Sequence, residues 1–309
     1  MYNYYPMTFD GRPVHVIYAK ADSNHEVQIS LMADRYDSSN PIKLASDFHD
    51  YALESEGYSR VGVLNGGIFN PEYAPIIFAN GFDKAYWIVN ENDDSPLDGV
   101  MAVSHTGDAS NQPIIELQSS AKAHLGSYRG GCAGAFGLLR NGIVDKGAWI
   151  QGVPTKKSGR AIIGRTGDGT IYFIASPGVS PTTSNPAGIG LSGDQCIALA
   201  QSLGLTDAVA MDGGGSVSAL FLNEWKVSTT RKVKNAWGLY IKQKSTGGGT
   251  GGGETPVFIE ARDSGYMPVF KKQIPHKLYK NGHLCPIKEI LVMKNGSLVP
   301  IDELRKGSS

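Results

Sequence analysis

Two hydrophobic periods alternate along this chain. Val14-His15-Val16-Ile17-Tyr18 and Val27-Gln28-Ile29-Ser30-Leu31-Met32 carry the pattern of half-buried strands. Ala21-Asp22-Ser23-Asn24 lies between them as a turn, so the spacing predicts a hairpin. The period then lengthens. Leu44, Ala45, Phe48, Ala52 and Leu53 recur at helical spacing, between a Ser39-Asn40-Pro41 start signal and Gly57. Val61-Gly62-Val63-Leu64 returns to strand and runs into Asn65-Gly66-Gly67. Short apolar runs follow at Ile76-Ile77-Phe78 and Ile114-Ile115-Glu116-Leu117.

The second half repeats the theme. Asn141-Gly142 and Asp168-Gly169 are two-residue hairpin signals, so Asp168 is expected to be a turn residue. Gly159-Arg160-Ala161-Ile162-Ile163-Gly164 and Ile171-Tyr172-Phe173-Ile174-Ala175 flank the second of them as strands. Residues 176–190 form a long polar loop, a length that in a compact domain points to function, such as a lid. Ser192 and Gln195 fit a capping box for a helix over Asp194–Leu203, closed by Gly204. The strand Ala208-Val209-Ala210-Met211 then delivers Asp212 into Gly213-Gly214-Gly215-Ser216. Strands are expected again at Val217–Leu222 and Val233–Ile241. The order helix, strand, polar-Gly-Gly turn thus occurs twice.

Composition changes this picture at one end only. Ser245 to Gly253 is a glycine-rich linker, and a dozen such residues span about 20 Å. It divides the chain into a main domain (1–244), a linker (245–255) and a small β-rich module (256–309) with nine basic and five acidic side chains. Asn281-Gly282 and Asn295-Gly296 predict two hairpins there. A unit that small calls for self-association, making the chain a homo-oligomer, or for a partner. The expected fold class is α+β, with mixed, mainly antiparallel sheets, a few helices and the small β-rich C-terminal unit. Formal net charge is zero over 309 residues, which argues against nucleic acid or an anionic membrane as partner. No apolar run approaches the roughly 20 residues of a membrane span, and the amino terminus lacks the pattern of a signal peptide. Cys132, Cys196 and Cys285 are widely spaced and read as buried thiols.

Candidate chemistry gathers at the two glycine turns. Glycine lets backbone N–H groups approach an anion or a sugar ring. Asn65 and Asp212 end their strands and would share a site if those strands are neighbours; two capped tight turns are the competing reading. Gly213-Gly214-Gly215-Ser216 lacks the lysine of a P-loop, and Ser216 lacks the setting of a nucleophile elbow. No histidine cluster indicates a transition metal. Carboxylate and backbone oxygens near Asp212 would suit calcium, but no EF-hand-like spacing supports it, so no cofactor is expected.

Four stretches together resemble the phosphodiester glycosidase family: Asn65-Gly66-Gly67-Ile68-Phe69, Gly159–Gly164, Met211-Asp212-Gly213-Gly214-Gly215-Ser216, and Arg231-Lys232-Val233-Lys234-Asn235-Ala236. Their order and spacing agree over residues 55–241. Ile68 stands where the family has phenylalanine, and Gly159 and Ala161 replace the proline and threonine that flank its arginine. The resemblance implies hydrolysis of a sugar-1-phosphodiester at the anomeric carbon. It makes Asp212 the nucleophile, the general base or the stabiliser of an oxocarbenium-like centre, and Arg160 a phosphate clamp. Asn65, Gly66, Gly67, Gly213, Gly214 and Ser216 would hold sugar hydroxyls and phosphate oxygens, with Arg231 and Asn235 as further contacts. The linker and tail suggest attachment to a larger assembly. A bacteriophage tail acting on cell-wall polysaccharide or teichoic acid is the expected setting, with other tail proteins as partners and a virion or extracellular location. A cytoplasmic enzyme acting on a nucleotide sugar is the alternative setting. The competing classes are a non-catalytic glycan-binding module and a purely structural tail protein.

Overall fold

The computed structural model describes residues 1–33, 42–67, 76–79, 100–105, 115–117, 128–146, 154–180, 182–183, 187–244 and four tail strands between 277 and 300. Contacts divide the chain into two compact units, Met1–Ser245 and Thr246–Ser309.

The first unit opens with a hairpin of β1 (Tyr2–Phe9) and β2 (Arg12–Ala19), tightly turned through Asp10 (φ 48°) and Gly11 (φ 69°). β3 (His25–Met32) does not pair with β2, as the hairpin expectation required; it joins a different sheet. Asp22 explains the departure. Its carboxylate accepts the backbone N–H groups of Asn24 and His25 (2.7 and 2.8 Å) and the amino terminus (2.6 Å). The bend it caps carries the chain from one sheet to the other.

The long helix expected before Gly57 is also broken. A single 3-10 turn spans Ala45–Asp47, Phe48 is extended, and only α1 (Tyr51–Ser55) is α-helical. Arg60 takes the carbonyls of Ser46 and Phe48, which removes them from a helical ladder. Asp50 caps α1 through Ala52 and Leu53 N–H groups, both at 3.0 Å. The Ser39-Asn40-Pro41 start signal lies outside the described residues.

β4 (Ser59–Asn65) is followed by β5 (Ile76–Ala79), β6 (Val100–His105), β7 (Ile115–Leu117) and β8 (Tyr128–Ala133). β9 (Phe136–Arg140) and β10 (Ile143–Val144) turn at Asn141-Gly142, and β11 (Arg160–Thr166) and β12 (Ile171–Ser176) turn around Asp168, both as the dipeptides predict. Asp168 accepts from Lys20 and from both Thr166 and Thr170 hydroxyls. α2 (Gly193–Ser202) carries the complete Ser192/Gln195 capping box. β13 (Leu205–Ala210), β14 (Ala219–Phe221), β15 (Glu224–Val227) and β16 (Ala236–Gln243) complete the unit.

These strands form a seven-stranded sheet (β1-β2-β12-β11-β13-β9-β10), a five-stranded sheet (β15-β14-β4-β16-β3) and a four-stranded sheet (β5-β8-β6-β7). Among the described residues every strand pair is antiparallel, so the expected mixed sheets become antiparallel ones. The period-two alternation builds the layers. Ile17, Ile163, Phe173 and Val209 of the seven-stranded sheet meet Ile29, Val61, Trp237 and Leu239 of the five-stranded sheet in one core. The opposite face of the larger sheet buries Val16, Ile174 and Ala208 against Cys196, Leu199 and Ala200 of α2. The opposite face of the smaller sheet buries Val63 and Tyr240 against Phe48 and Leu53. The seven-stranded and five-stranded sheets thus each have a helix on the outer face.

In the second unit, β17 (Lys277–Lys280) pairs with β18 (His283–Pro286), and β19 (Leu291–Lys294) pairs with β20 (Ser297–Pro300). Both hairpins lie where the two Asn-Gly dipeptides predict them.

Candidate functional site

The stretch from Met211 to Ser218 is where the chain crosses between the two large sheets. β13 belongs to the seven-stranded sheet and β14 to the five-stranded one. Met211 still bonds the first sheet through its N–H to Ala161 O (2.8 Å), whereas Ala219 already pairs with Leu64 of β4. Asp212 and the glycines therefore occupy the seam.

Asn65 staples this crossing. Its Nδ2 donates to Asp212 O (2.8 Å) and its Oδ1 accepts from Ser218 N (3.0 Å), while its own N–H reaches Ser218 O (3.2 Å). Gly66 O accepts from Asp212 N (3.0 Å). Asn235, at the head of β16, holds the other side: its backbone O accepts from Gly66 N (3.1 Å) and its Oδ1 from Gly67 N (2.9 Å). Asn65 and Asn235 are both fully buried, so losing either would strand backbone groups away from water. Only glycine fits at 66, because a Cβ there would stand 1.6 Å from Asn235 Oδ1. The two glycine turns are thus one hydrogen-bonded body.

The third glycine-rich stretch closes on the same place. Gly214 N donates to Gly159 O (2.9 Å). Gly214 has φ 62° and a Cβ there would meet Ser180 Oγ at 2.4 Å, so the residue needs both the left-handed conformation and the missing side chain. Ser180 Oγ in turn bonds Ser158 Oγ (2.8 Å). The expected loop over 176–190 is therefore docked at its described base. Val179 and Ile189 exchange backbone bonds of 2.8 Å, and Leu191 bonds Ser158. Its remaining residues, 181 and 184–186, lie outside the described set.

The two candidate arginines occupy opposite environments. Arg160 is 3% exposed. Its Nε donates to Leu191 O (2.9 Å), its Nη2 to Lys156 O (2.5 Å), and the guanidinium lies over the Phe136 ring at 5.1 Å. Burial lowers its pKa. It still backs the seam, since a Cβ on Gly213 would lie 3.5 Å from its Nη1. Arg231 is exposed and lies beside Gly215.

Asp212 is partly buried, and burial pushes its carboxyl above the usual aspartate range. Ser216, the Arg231 charge and the Gly213 N–H act in the opposite direction. The fully buried Ser216 Oγ faces this carboxylate but falls outside strict hydrogen-bond geometry, so the hydroxyl is not fully engaged. Ser218 Oγ is likewise buried, with no hydrogen-bond partner among the described residues. A desolvated carboxylate, an arginine charge that acts on it, a buried serine hydroxyl and a glycine backbone form a polar cluster at the seam, with the chemistry to meet an anionic ligand.

Sequence reasoning missed Ser158, Ser180, Ser218 and Thr229, none of which carries a local signal. Cys132, read from the sequence as a buried thiol, is fully buried beside Gly67 N–H and Trp237, its thiol pushed up to about 12 by burial. A hollow of about 300 Å³, lined by Arg140, Asn141, Ile143, Val144 and Asp145, lies at the other end of β13, where Asn141 N bonds Asp207. It is remote from Asp212 and holds none of the candidate residues. Among the described residues no cluster of potential metal ligands occurs.

A sequence profile of phosphodiester glycosidases matches residues 58–240. No curated protein matches the chain. Among solved structures, the zebrafish N-acetylglucosamine-1-phosphodiester alpha-N-acetylglucosaminidase catalytic domain, auto-inhibited by its pro-peptide, is similar with a TM-score of 0.53 at 12% identity, over 77% of this chain and 81% of that one. A hypothetical protein from Synechocystis aligns over 78% of this chain and 62% of its own at 12% identity, with a TM-score of 0.47 too low to carry an argument. At such identity the zebrafish likeness speaks to the fold alone. The profile match, in contrast, covers more than half of the sequence and takes in all four strand-end stretches that meet at the seam; this chain belongs to the phosphodiester glycosidase family.

Proposed function

We propose that the protein hydrolyses a sugar-1-phosphodiester. Water replaces the phosphate ester at the anomeric carbon: the C1–O bond breaks, and a reducing sugar and a phosphate monoester leave. The observation that carries this reading is the placement of Asp212, a desolvated carboxylate at the seam, between an Asn-Gly-Gly turn and an exposed arginine. A phosphate ester departs as a stable anion, so strong general-acid help is less necessary than in glycosidases that use two carboxylates. One carboxylate then suffices as nucleophile, as base for water, or as stabiliser of the oxocarbenium-like centre. Asn65 and Asn235 hold the two turns in register. The Ser216 hydroxyl and the Gly213 N–H support the Asp212 carboxylate, while the N–H groups of Gly66, Gly67 and Gly214 hold the turns together through Asn235 and Gly159. Arg160 braces Gly213 from behind.

The substrate class we favour is a cell-surface glycan or teichoic-acid-like polymer whose repeats are joined by phosphodiesters. A glycine-rich linker sequence and a mildly cationic tail suit a chain tethered to a larger assembly, such as a phage tail, and brought to an anionic polymer. The test is incubation with sugar-phosphodiesters and wall glycans, followed by assay for reducing sugar and phosphate monoester together. Release of both supports the reading. Binding without release, unaffected by Asp212→Ala, makes the protein a glycan binder instead.

A further inference from the structure

We infer that the phosphate half of the substrate is held by Arg231, and that Thr229 is the positioning residue that sets this arginine beside Asp212. The inference rests on the phosphodiester reading above and sharpens it, because two arginines adjoin the seam and the geometry separates their roles. Arg160 is enclosed, with Nε and Nη2 donating to the Leu191 and Lys156 carbonyls and its face on Phe136. A phosphate there would have to displace backbone carbonyls that pin the base of the loop. Arg231 is exposed beside Gly215, and its charge lowers the Asp212 pKa.

One hydroxyl fixes Arg231 in that place. Thr229 Oγ1 donates to Gly215 O (2.7 Å) and accepts from Arg231 N (3.0 Å). Both capacities of the hydroxyl are used, one on each strand of chain. The Arg231 stem therefore runs along Gly215: a Cβ there would touch Arg231 Cδ at 3.7 Å and Nη1 at 3.9 Å. The physical need is clear. A phosphodiester anion approaching Asp212 meets a like charge, and a guanidinium at the mouth offsets that repulsion through paired N–H groups. Its placement sets how well those N–H groups meet the bound phosphate, and so how tightly the substrate is held. Thr229 contacts no substrate atom in this scheme; it acts through Arg231.

The test titrates inorganic phosphate into the nitrogen-15-labelled full chain and follows the Arg231 Nε–H and the Gly213–Gly215 amides by NMR. Saturable shifts at these signals are expected in the parent protein and their loss in Arg231→Ala. Thr229→Val should weaken phosphate binding roughly fivefold, the effect of one modest hydrogen-bond system, and Thr229→Ser should restore it. In turnover, Thr229→Val should raise KM for the phosphodiester with kcat nearly unchanged. Absence of saturable shifts, or shifts centred on the Arg160 Nε–H, would overturn the inference. So would parent-like binding in Thr229→Val. Phosphate bound through Arg231 with no cleavage of any sugar phosphodiester would overturn the hydrolytic reading while leaving this one standing.

Discussion

At the scale of single residues, Asp212 is the group whose environment departs most usefully from water. Burial raises its pKa, and the neighbouring Ser216 and Arg231 lower it. A role that needs the ionised carboxylate therefore gives a pH–rate profile whose acid limb lies above the ordinary aspartate value of about 4. Removing either neighbour removes a lowering influence. Arg231→Ala and Ser216→Ala should each move the acid limb of kcat/KM to higher pH; an unmoved or lowered limb would contradict the assignment. The linkage to stability has the same sign. An acid whose folded pKa is raised stabilises the fold least once pH exceeds that pKa, and costs nothing below the unfolded value. Asp212→Asn should accordingly melt no lower than the parent at neutral pH and lose any advantage in acid, as read by calorimetry across pH. The sequence showed Asp212, Asn65 and two arginines as candidates. It could not tell the arginines apart, since which one gives its N–H groups to the Leu191 and Lys156 carbonyls is decided by tertiary contacts.

At the scale of elements, the site depends on turns that leave no room. In Gly66→Ala the new methyl would overlap Asn235 Oδ1, and the bond from Gly67 N would be lost with it. Destabilisation by about 3 kcal/mol or more is expected from such overpacking, with a cooperative loss of melting temperature and turnover together. A parent-like melting curve would contradict the close approach of Asn235 to Gly66. Turns of this kind are also what the sequence reveals best. Asn141-Gly142, the Asp168 turn and the Ser192 capping box act within a few residues, so local chemistry predicts them. Asp10-Gly11 was equally readable, although the polar tyrosine-rich strand before it hid the first hairpin. The β2–β3 pairing failed because partners in a sheet are set by distant strands: β2 lies beside β12, and β3 beside β16. The long helix failed because Arg60, 12 and 14 residues downstream, captures the Phe48 and Ser46 carbonyls that the helix needed.

At the scale of the whole molecule, the family match over 58–240 lies inside the first compact unit, Met1–Ser245, where every candidate site residue also falls. A chain ending after Ser245 should keep the melting temperature of the full protein's main transition and its kcat/KM on a small soluble phosphodiester. A drop in either would show that the tail contributes to the fold or the site. The layered architecture was legible only as a class, because alternating strands announce two-faced sheets but not which faces meet. The central claim is that Asp212 at the sheet seam drives cleavage of a sugar phosphodiester. Its most direct test is kcat/KM for Asp212→Asn beside the parent on a substrate the parent cleaves, with melting curves recorded for both. A loss of about a thousandfold with an unchanged or higher melting temperature is the predicted result. Full turnover by a normally folded Asp212→Asn protein would contradict it.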